Sequence, residues 1–212
     1  MKNIPLFTTE NGVATLILKE IPYQQTAYVM IRDSLEPEKL LEECRSFCTA
    51  CGAERVYATG HPILERFPVF TAMWQMRCLR ESLPDTDAAL WPVQEQTLEQ
   101  WREIYNEKVR RVPNGAWMTI LDSKEMLEKG DGYFIHRGEE LLGIGRASGE
   151  MLDWVAAVKP GAGRDVVLAL NHALSADAAV LIVASANQKA VKLYESLGFL
   201  KNQELSVWYQ IF

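Results

Sequence analysis

The hydrophobic positions of the first 80 residues change from strand-like to helix-like spacing and back again. Runs rich in β-branched and aromatic residues favour pleated backbone, whereas apolar residues at steps of three and four form one face of a helix. Gly52 stands where a left-handed residue would end such a helix. The pattern predicts strands and one helix in the order Val13–Leu18 (strand), Thr26–Ile31 (strand), Glu36–Ala50 (helix), Arg55–Thr59 (strand) and Val69–Arg77 (strand).

A polar, turn-rich segment at Ser82–Asp87 separates this region from the rest of the chain. We therefore predict an N-terminal α/β region over residues 1–85 and a second domain over residues 86–212. The second domain begins with a short extended piece at Ala89–Val93. Thr97 can cap a helix that runs to about Arg110, and a shorter helix is predicted from Ser123 to near Gly130.

The remainder of the second domain reads as a β-meander followed by alternating helices and strands. Gly-containing turns separate the three meander strands, and a glycine-rich loop opens the next helix. From residue 89 onwards the order is β-α-α-β-β-β-α-β-α-β. The later predicted elements are Gly132–His136, Glu140–Arg146 and Met151–Val158 (meander), Arg164–Ala176 (helix), Ala179–Val183 (strand), Asn187–Gly198 (helix) and Leu205–Phe212 (strand).

Composition and charge exclude several classes of function. The chain has 212 residues, 48% of them hydrophobic, and a net charge of -6. The densest basic cluster is Lys108, Arg110 and Arg111, which is too small for a nucleic-acid-binding face. No apolar run reaches the roughly 18 residues of a membrane span, and the N-terminus does not resemble a signal peptide. We expect a cytoplasmic protein with neither a nucleic-acid nor a membrane partner.

Three of the four cysteines, Cys44, Cys48 and Cys51, read C-x3-C-x2-C. Radical SAM enzymes use that spacing to hold an iron–sulfur cluster, but their thiolates come from a loop. Here the cysteines lie on the apolar face of a predicted helix, and free cysteine packs as a small hydrophobe. We interpret them as buried thiols and predict no metal site, with an iron–sulfur enzyme as the alternative.

The segment Asn187–Phe199 carries the most specific motif. It resembles the last motif helix of the general-control-related N-acetyltransferase (GNAT) superfamily, whose pattern is N-x-x-A-x-x-L/F-Y-x-x-x-G-F. Every marked position is matched, and the helix follows an apolar strand as it does in that family. The resemblance covers about residues 89–212. It implies an α/β (α+β) GNAT fold, with a mixed, mostly antiparallel sheet flanked by helices, plus the N-terminal α/β extension.

The resemblance also implies acetyl-CoA as co-substrate. In this family the pantetheine arm lies along the fourth strand, here Ala156, Ala157 and Val158, and a backbone N–H in this stretch would polarise the thioester oxygen. The pyrophosphate loop corresponds to Gly161, Gly163 and Arg164, at the start of a helix. This loop is about two residues short of the family pattern R/Q-x-x-G-x-G/A. The alternative interpretation is therefore a strand–helix turn that binds nothing.

The motif helix itself supplies further expected roles. Tyr194 resembles the family tyrosine that protonates the departing thiolate, with core packing as its alternative. Asn187 and Ala190 are expected to contact the cofactor, although Asn187 also suits a helix N-cap. For the general base, Glu150 is the first candidate by position, and Asp153 and His136 are alternatives.

These features favour an enzyme that moves an acetyl group from acetyl-CoA to a primary amine on a small molecule or peptide. The shortened loop also allows a GNAT-fold module that has lost catalysis and binds CoA or a partner. Residues 1–85 read as a degenerate half-copy of the same fold, or as an unrelated extension. The resemblance further implies that two copies can pair as a homodimer.

Overall fold

The computed structural model describes residues 2–212, and the chain divides into two compact units. The first unit comprises the residues up to Met73 together with Glu204–Phe212, and the second unit is Trp74–Gln203. Among the described residues, no helix is both long and apolar enough to cross a membrane. The fold class agrees with the sequence prediction: a mixed α/β structure whose strand pairs are mostly antiparallel.

The first unit is a mixed sheet with one long helix. Its elements are β1 (Ile4–Thr9), β2 (Gly12–Ile17), α1 (Ile21–Gln24), β3 (Thr26–Ser34), α2 (Pro37–Ala50), β4 (Arg55–Thr59), and parts of β5 (Val69–Leu79) and β11 (Leu200–Gln210). The strands lie in the order β1-β2-β3-β4-β11, with β5 following β11. Strands β3 and β4 are parallel, while β11 is antiparallel to β4. The hydrophobic pattern does not predict β1, because Pro5 interrupts it.

Helix α2 forms where the spacing predicted it and buries one face in the core of the first unit. Pro37 lies at its start, and Leu40, Leu41, Cys44 and Cys48 are buried. Burial raises the pKa values of the Cys44 and Cys48 thiols to about 12. These are the properties of cysteines that pack as small hydrophobes, rather than of reactive thiolates.

The second unit contains a larger sheet with helices packed against it. Its strands lie in the order β5-β10-β9-β8-β7-β6, and β9 and β10 are parallel. After β5, the elements are β6 (Ala89–Pro92), α3 (Leu98–Val109), α4 (Ile120–Lys129), β7 (Gly132–Arg137), β8 (Glu140–Ser148), β9 (Met151–Ala157), α5 (Gly163–Asn171), β10 (Ala178–Ala184) and α6 (Gln188–Ser196).

Helix α4 begins earlier than the sequence pattern predicted, at Ile120 rather than Ser123. Thr119 accepts a hydrogen bond from the Asp122 N–H, while the Asp122 carboxylate accepts one from the Thr119 N–H. This reciprocal capping box fixes the first turn. Gly130 ends the helix at φ 67°, a backbone conformation that favours glycine.

Helix α5 lies unusually close to β8 because two glycines line the contact. A Cβ atom on Gly143 would meet Val166 Cγ2 at 2.5 Å, and one on Gly145 would meet Leu170 Cδ1 at 2.3 Å. The helix is also shorter than predicted and ends at Asn171 rather than near Ala176. Its last turn is held by Arg80, whose guanidinium donates to the side-chain and main-chain oxygens of Asn171.

The boundary between the units differs from the one predicted at residue 85. Met76, Cys78, Leu83 and Ala88 all pack in the same core as α5 and β10, so the chain joins the second unit before its polar turn. Conversely, Ile211 packs in the core of the first unit. Polar turns mark where a chain is exposed, and they do not show which core the flanking residues enter.

Candidate active site

The feature that distinguishes the second unit is a parallel strand pair that separates almost at once. The pairing between β9 and β10 is recorded at Val180 and Met151, where the Val180 N–H donates to the Glu150 carbonyl at 2.8 Å. Beyond this point, no further β9–β10 partners are recorded for the described residues. Towards its carboxyl end, β9 therefore presents a free edge on the side of β10.

Hydrogen bonding to β8 decides which backbone groups this edge offers. Val158 donates its N–H to the Leu142 carbonyl at 2.9 Å, and Ala157 lies opposite Gly143. Because bonded and non-bonded pairs alternate along an antiparallel ladder, the N–H groups of Ala157 and Val155 point away from β8. Val158 is therefore not a free donor, and the same alternation engages the N–H of Ala156, which leaves Ala157 as the free donor of the predicted stretch. The structure adds Val155, which no sequence motif marks.

The same strand contains a β-bulge. Arg146 lies opposite Trp154 while the next residue, Ala147, lies opposite Leu152, so Asp153 is the extra residue on β9. Bulges bend a strand and re-aim its side chains, and they are common beside functional sites. The adjacent indole Nε1 of Trp154 is buried and has no hydrogen-bond partner among residues 2–212.

The loop between β9 and α5 has the features of an anion-binding turn. Gly161 adopts φ 87°, and the N-cap residue Ala162 provides no side-chain hydrogen bond to the helix. The first N–H groups of α5 are therefore available, and the exposed Arg164 lies in the first turn. Gly163 allows a close approach of α6, because a Cβ atom there would lie 3.0 Å from Leu193 Cδ2.

Asp165, which could compete with a phosphate for these donors, has a partner of its own. Its Oδ1 lies 2.9 Å from Nη2 of Arg137, which also pairs with Asp87 at 2.8 Å. The carboxylate is thus neutralised from the turn between β7 and β8. No sequence pattern linked Arg137 with this helix, because the two residues come together only through the pairing of separate elements.

Helix α6 presents its motif residues as follows. Asn187 caps the helix by accepting the Ala190 N–H at 3.3 Å, which leaves its amide NH2 group without a recorded partner among the described residues. Tyr194 is 8% exposed and packs 5.8 Å from Phe199, measured between ring centroids. Burial raises the pKa of Tyr194 to about 12. The hydroxyl makes no recorded hydrogen bond to residues 2–212 and stays protonated at neutral pH.

The three candidate bases occupy different places. Glu150 is exposed in the turn before β9, at the end where β9 and β10 pair. Asp153 lies at the bulge, and partial burial raises its pKa, an effect that the Arg146 guanidinium partly offsets. His136 lies on β7, 5.5 Å from the Trp91 ring. Of the three, only Asp153 lies on the part of β9 beyond its pairing with β10.

A cavity of about 680 Å³ lies beside α3, within the second unit; we call it the Trp91–His136 cavity. Its walls combine aromatic and amide side chains without a carboxylate: Leu90, Trp91, Pro92, Gln94, Thr97, Gln100, Phe134, His136 and Leu141. Phe134, Ile144 and Ala156 form one row across β7, β8 and β9. The cavity wall at Phe134 is thus two strand spacings, about 10 Å, from β9.

Several solved structures have a fold similar to that of this chain. Similar folds include a conserved protein of unknown function from Staphylococcus epidermidis (10% identity, TM-score 0.61, 96% of this chain and 91% of that chain). A GCN5-related N-acetyltransferase from Sphaerobacter thermophilus matches with 10% identity and a TM-score of 0.59, over 93% and 75% of the two chains. A tandem GNAT protein from the clavulanic acid biosynthesis pathway matches with 12% identity and a TM-score of 0.50, over 94% and 78%.

No protein-family model matches the sequence, and no curated protein matches it. At about 10% identity, the solved structures establish the fold alone. The chain has the fold of the GNAT acetyltransferases, as the motif in Asn187–Phe199 predicted.

Proposed function

We propose that this protein is an N-acetyltransferase that moves an acetyl group from acetyl-CoA to a primary amine. The observation that carries the proposal is the separation of β9 from β10, followed directly by a glycine-containing turn and an uncapped helix. A strand edge with free N–H groups suits an extended amide chain, and a helix N-terminus suits phosphate. Both features occur together in the second unit.

The residues present fit a CoA thioester. Val155 and Ala157 direct backbone N–H groups into the gap between β9 and β10. One of these N–H groups would stabilise the negative charge that develops on the thioester oxygen. Gly163 and Arg164 offer N–H groups to a pyrophosphate, and the Arg164 side chain adds a positive charge. The free amide of Asn187 adds a donor near the start of α6.

Bound acetyl-CoA would supply an activated acyl group, and the protein must then manage two protons. The attacking amine has to lose a proton, and Asp153 is the carboxylate best placed on β9 to accept it, directly or through water. The departing thiolate has to gain one, and Tyr194 keeps its proton because burial raises its pKa to about 12. A phenol of that pKa is a weaker acid than a thiol, whose pKa is about 8.5, so this transfer is uphill and is completed by reprotonation of the tyrosinate from water.

We propose that the Trp91–His136 cavity binds the amine acceptor, and its lining indicates which amines fit. Its lining contains no carboxylate, whereas a polycation would require several acidic partners. Trp91 and Phe134 offer aromatic surface, and Gln94 and Gln100 offer amide groups. An acceptor with an apolar or aromatic body and a single amine therefore fits better than a polyamine or an aminoglycoside.

Two measurements test the proposal. A thermal-shift titration with acetyl-CoA should raise the melting temperature, and an unchanged melting temperature at millimolar acetyl-CoA would exclude the enzyme. A screen of amines with thiol detection should then show CoA release, with aromatic monoamines ahead of spermidine. Stabilisation without release for any amine would favour the alternative, a CoA-binding module that has lost catalysis, which the short loop after β9 also allows.

A further inference from the structure

The first unit contains a cavity of its own, at the carboxyl ends of its parallel strands. Strands β3 and β4 pair from Thr26 and Arg55 to Met30 and Thr59. After that point β3 continues to Ser34, while the other strand ends and the chain turns at Gly60. A cavity of about 430 Å³ lies there, within the roughly 300–1,000 Å³ that small-ligand sites occupy. Carboxyl ends of parallel strands are a common place for ligands in α/β sheets.

The wall of this cavity is fixed by close backbone contact. Gly60 adopts φ 98°, and a Cβ atom on it would lie only 2.4 Å from the Ile31 carbonyl oxygen. A side chain at this position would push the two backbones apart. The opening is therefore a defined feature of the fold.

Two opposite charges line the cavity without meeting each other. Arg32 and Glu65 are both lining residues, yet no ion pair within 4.0 Å is recorded for either of them among residues 2–212. The Arg32 Nε donates to Thr15 Oγ1 at 3.0 Å and Nη2 donates to Met30 Sδ at 3.9 Å, which positions the guanidinium and leaves the Nη1 N–H groups available. Arg66, which follows Glu65 in the chain, pairs with Glu38 instead.

Two further polar groups open onto the same space. Thr59 is 5% exposed, and its hydroxyl makes no recorded hydrogen bond to the described part of the chain. His61 accepts the Ile63 N–H at Nδ1 over 3.1 Å, so the proton of its neutral ring sits on Nε2. The cavity thus offers a guanidinium, an imidazole N–H and a hydroxyl as donors, together with one carboxylate as an acceptor.

We propose that this cavity, which we call the Arg32–Glu65 cavity, binds a small zwitterion of the α-amino acid type. The ligand carboxylate is held by Arg32, with His61 and Thr59 as additional donors, and the ligand ammonium is held by Glu65. A ligand with charges of both signs satisfies groups that the protein leaves unpaired, whereas a simple anion would also face the Glu65 carboxylate. All lining residues belong to the first unit, so this site does not depend on the proposed acetyl transfer.

Calorimetric titration of the full-length protein with each of the 20 standard amino acids tests the proposal. We expect at least one of them to bind, and its N-acetyl and amide derivatives, which each lack one charge, to bind at least about tenfold more weakly. Equal binding of the N-acetyl derivative would overturn the zwitterion and indicate a plain anion site. The absence of heat with every amino acid would overturn the site altogether.

Variants assign the contacts. Arg32→Gln and Glu65→Gln should each weaken the bound amino acid at least about tenfold, because each removes a charge-assisted hydrogen bond. Thr59→Val should weaken it less, and Thr59→Ser should restore most of the affinity. Arg45→Gln and Glu10→Gln, in the same unit but outside the cavity, are matched controls and should bind normally. Unchanged affinity in both cavity charge variants, with native circular dichroism, would contradict the assignment.

Discussion

The two units of this protein each contain a parallel strand pair joined by a helix, and the two pairs differ in how far they stay together. In the first unit β3 and β4 pair at five successive positions. In the second unit β9 and β10 pair at one recorded position and then separate. The same local order of strand, helix and strand therefore gives a closed sheet in one unit and an open strand edge in the other.

The helices of the two pairs differ in the charge at their first turn. The chain entering α2 carries Asp33, Glu36 and Glu38 against one cation, Lys39, whereas the chain entering α5 carries Lys159 and Arg164 against one carboxylate, Asp165. Carboxylates near a helix N-terminus stabilise the helix but repel a phosphate. The N-terminus of α2 is thus net acidic, whereas that of α5 is not, so only α5 suits the proposed phosphate site.

The largest expected effect is a loss of activity that only a change in the second unit produces. Tyr194→Phe removes the proposed acid of the acetyl transfer, and kcat should fall about 100-fold while the dissociation constant of CoA changes little. Tyr57→Phe in the first unit is the matched control and should leave kcat unchanged. An unaltered kcat for Tyr194→Phe would remove this residue from the mechanism and leave it as a core residue.

The next effect tests how closely α5 must lie to β8. Gly145→Ala should lower the free energy of unfolding by about 2 kcal/mol, because its Cβ would meet Leu170 and the Trp154 carbonyl. Gly132→Ala is a milder control, since its nearest obstacle is the flexible end of Met126. Urea unfolding measures both. Equal stability of the two variants would mean that α5 can shift, and that its contact with β8 does not fix the loop between β9 and α5.

Alkaline pH should weaken the first unit through its buried thiols. Burial raises the folded-state pKa values of Cys44 and Cys48 to about 12, above the value of about 8.5 for an exposed thiol. The folded state then binds more protons than the unfolded state, so stability is complete below pH 8 and falls as the pH rises towards 12. The expected loss is about 2 kcal/mol for each of the two thiols by pH 10.

Unfolding titrations at pH 8, 9 and 10 under reducing conditions measure this slope. Cys48→Ala should reduce the fall in the free energy of unfolding between pH 8 and pH 10. Cys51→Ala, at a half-buried position, should reduce this fall less than Cys48→Ala does. A slope that is the same in both variants would contradict the assignment to Cys48.

The smallest expected effect concerns the loop between β9 and α5, which is the proposed phosphate site. Arg164→Gln should weaken acetyl-CoA binding about threefold, because its side chain is exposed and its charge is screened by solvent. The loss should shrink further at high salt. Arg77→Gln, an exposed change in the same unit, is the control. If Arg164→Gln binds acetyl-CoA as tightly as the unaltered protein, the helix N–H groups act without this side chain.

Part of the fold and of the candidate site could be predicted from residues that lie close together in the sequence. The motif Asn187–Phe199 specified the fold, because an N-cap, an apolar face and a glycine exit must occur at fixed spacing along one helix. Helix α2 was readable for the same reason. The start of α4 was missed because the capping signal of Thr119 lies before the apolar pattern, although the Thr119–Asp122 pair could have been found in the sequence.

Sequence alone determined the order of the elements, the GNAT resemblance and the identity of Tyr194 and the glycine turn as candidates, since each depends on residues close together in the chain. Only the tertiary structure decided that Val155 and Ala157, rather than Val158, point their N–H groups into the gap. The same holds for the pairing of Arg137 with Asp165, and for the unpaired Arg32 and Glu65 around one cavity. Strand register and the meeting of distant side chains depend on how separate elements pack, and no local spacing records that packing.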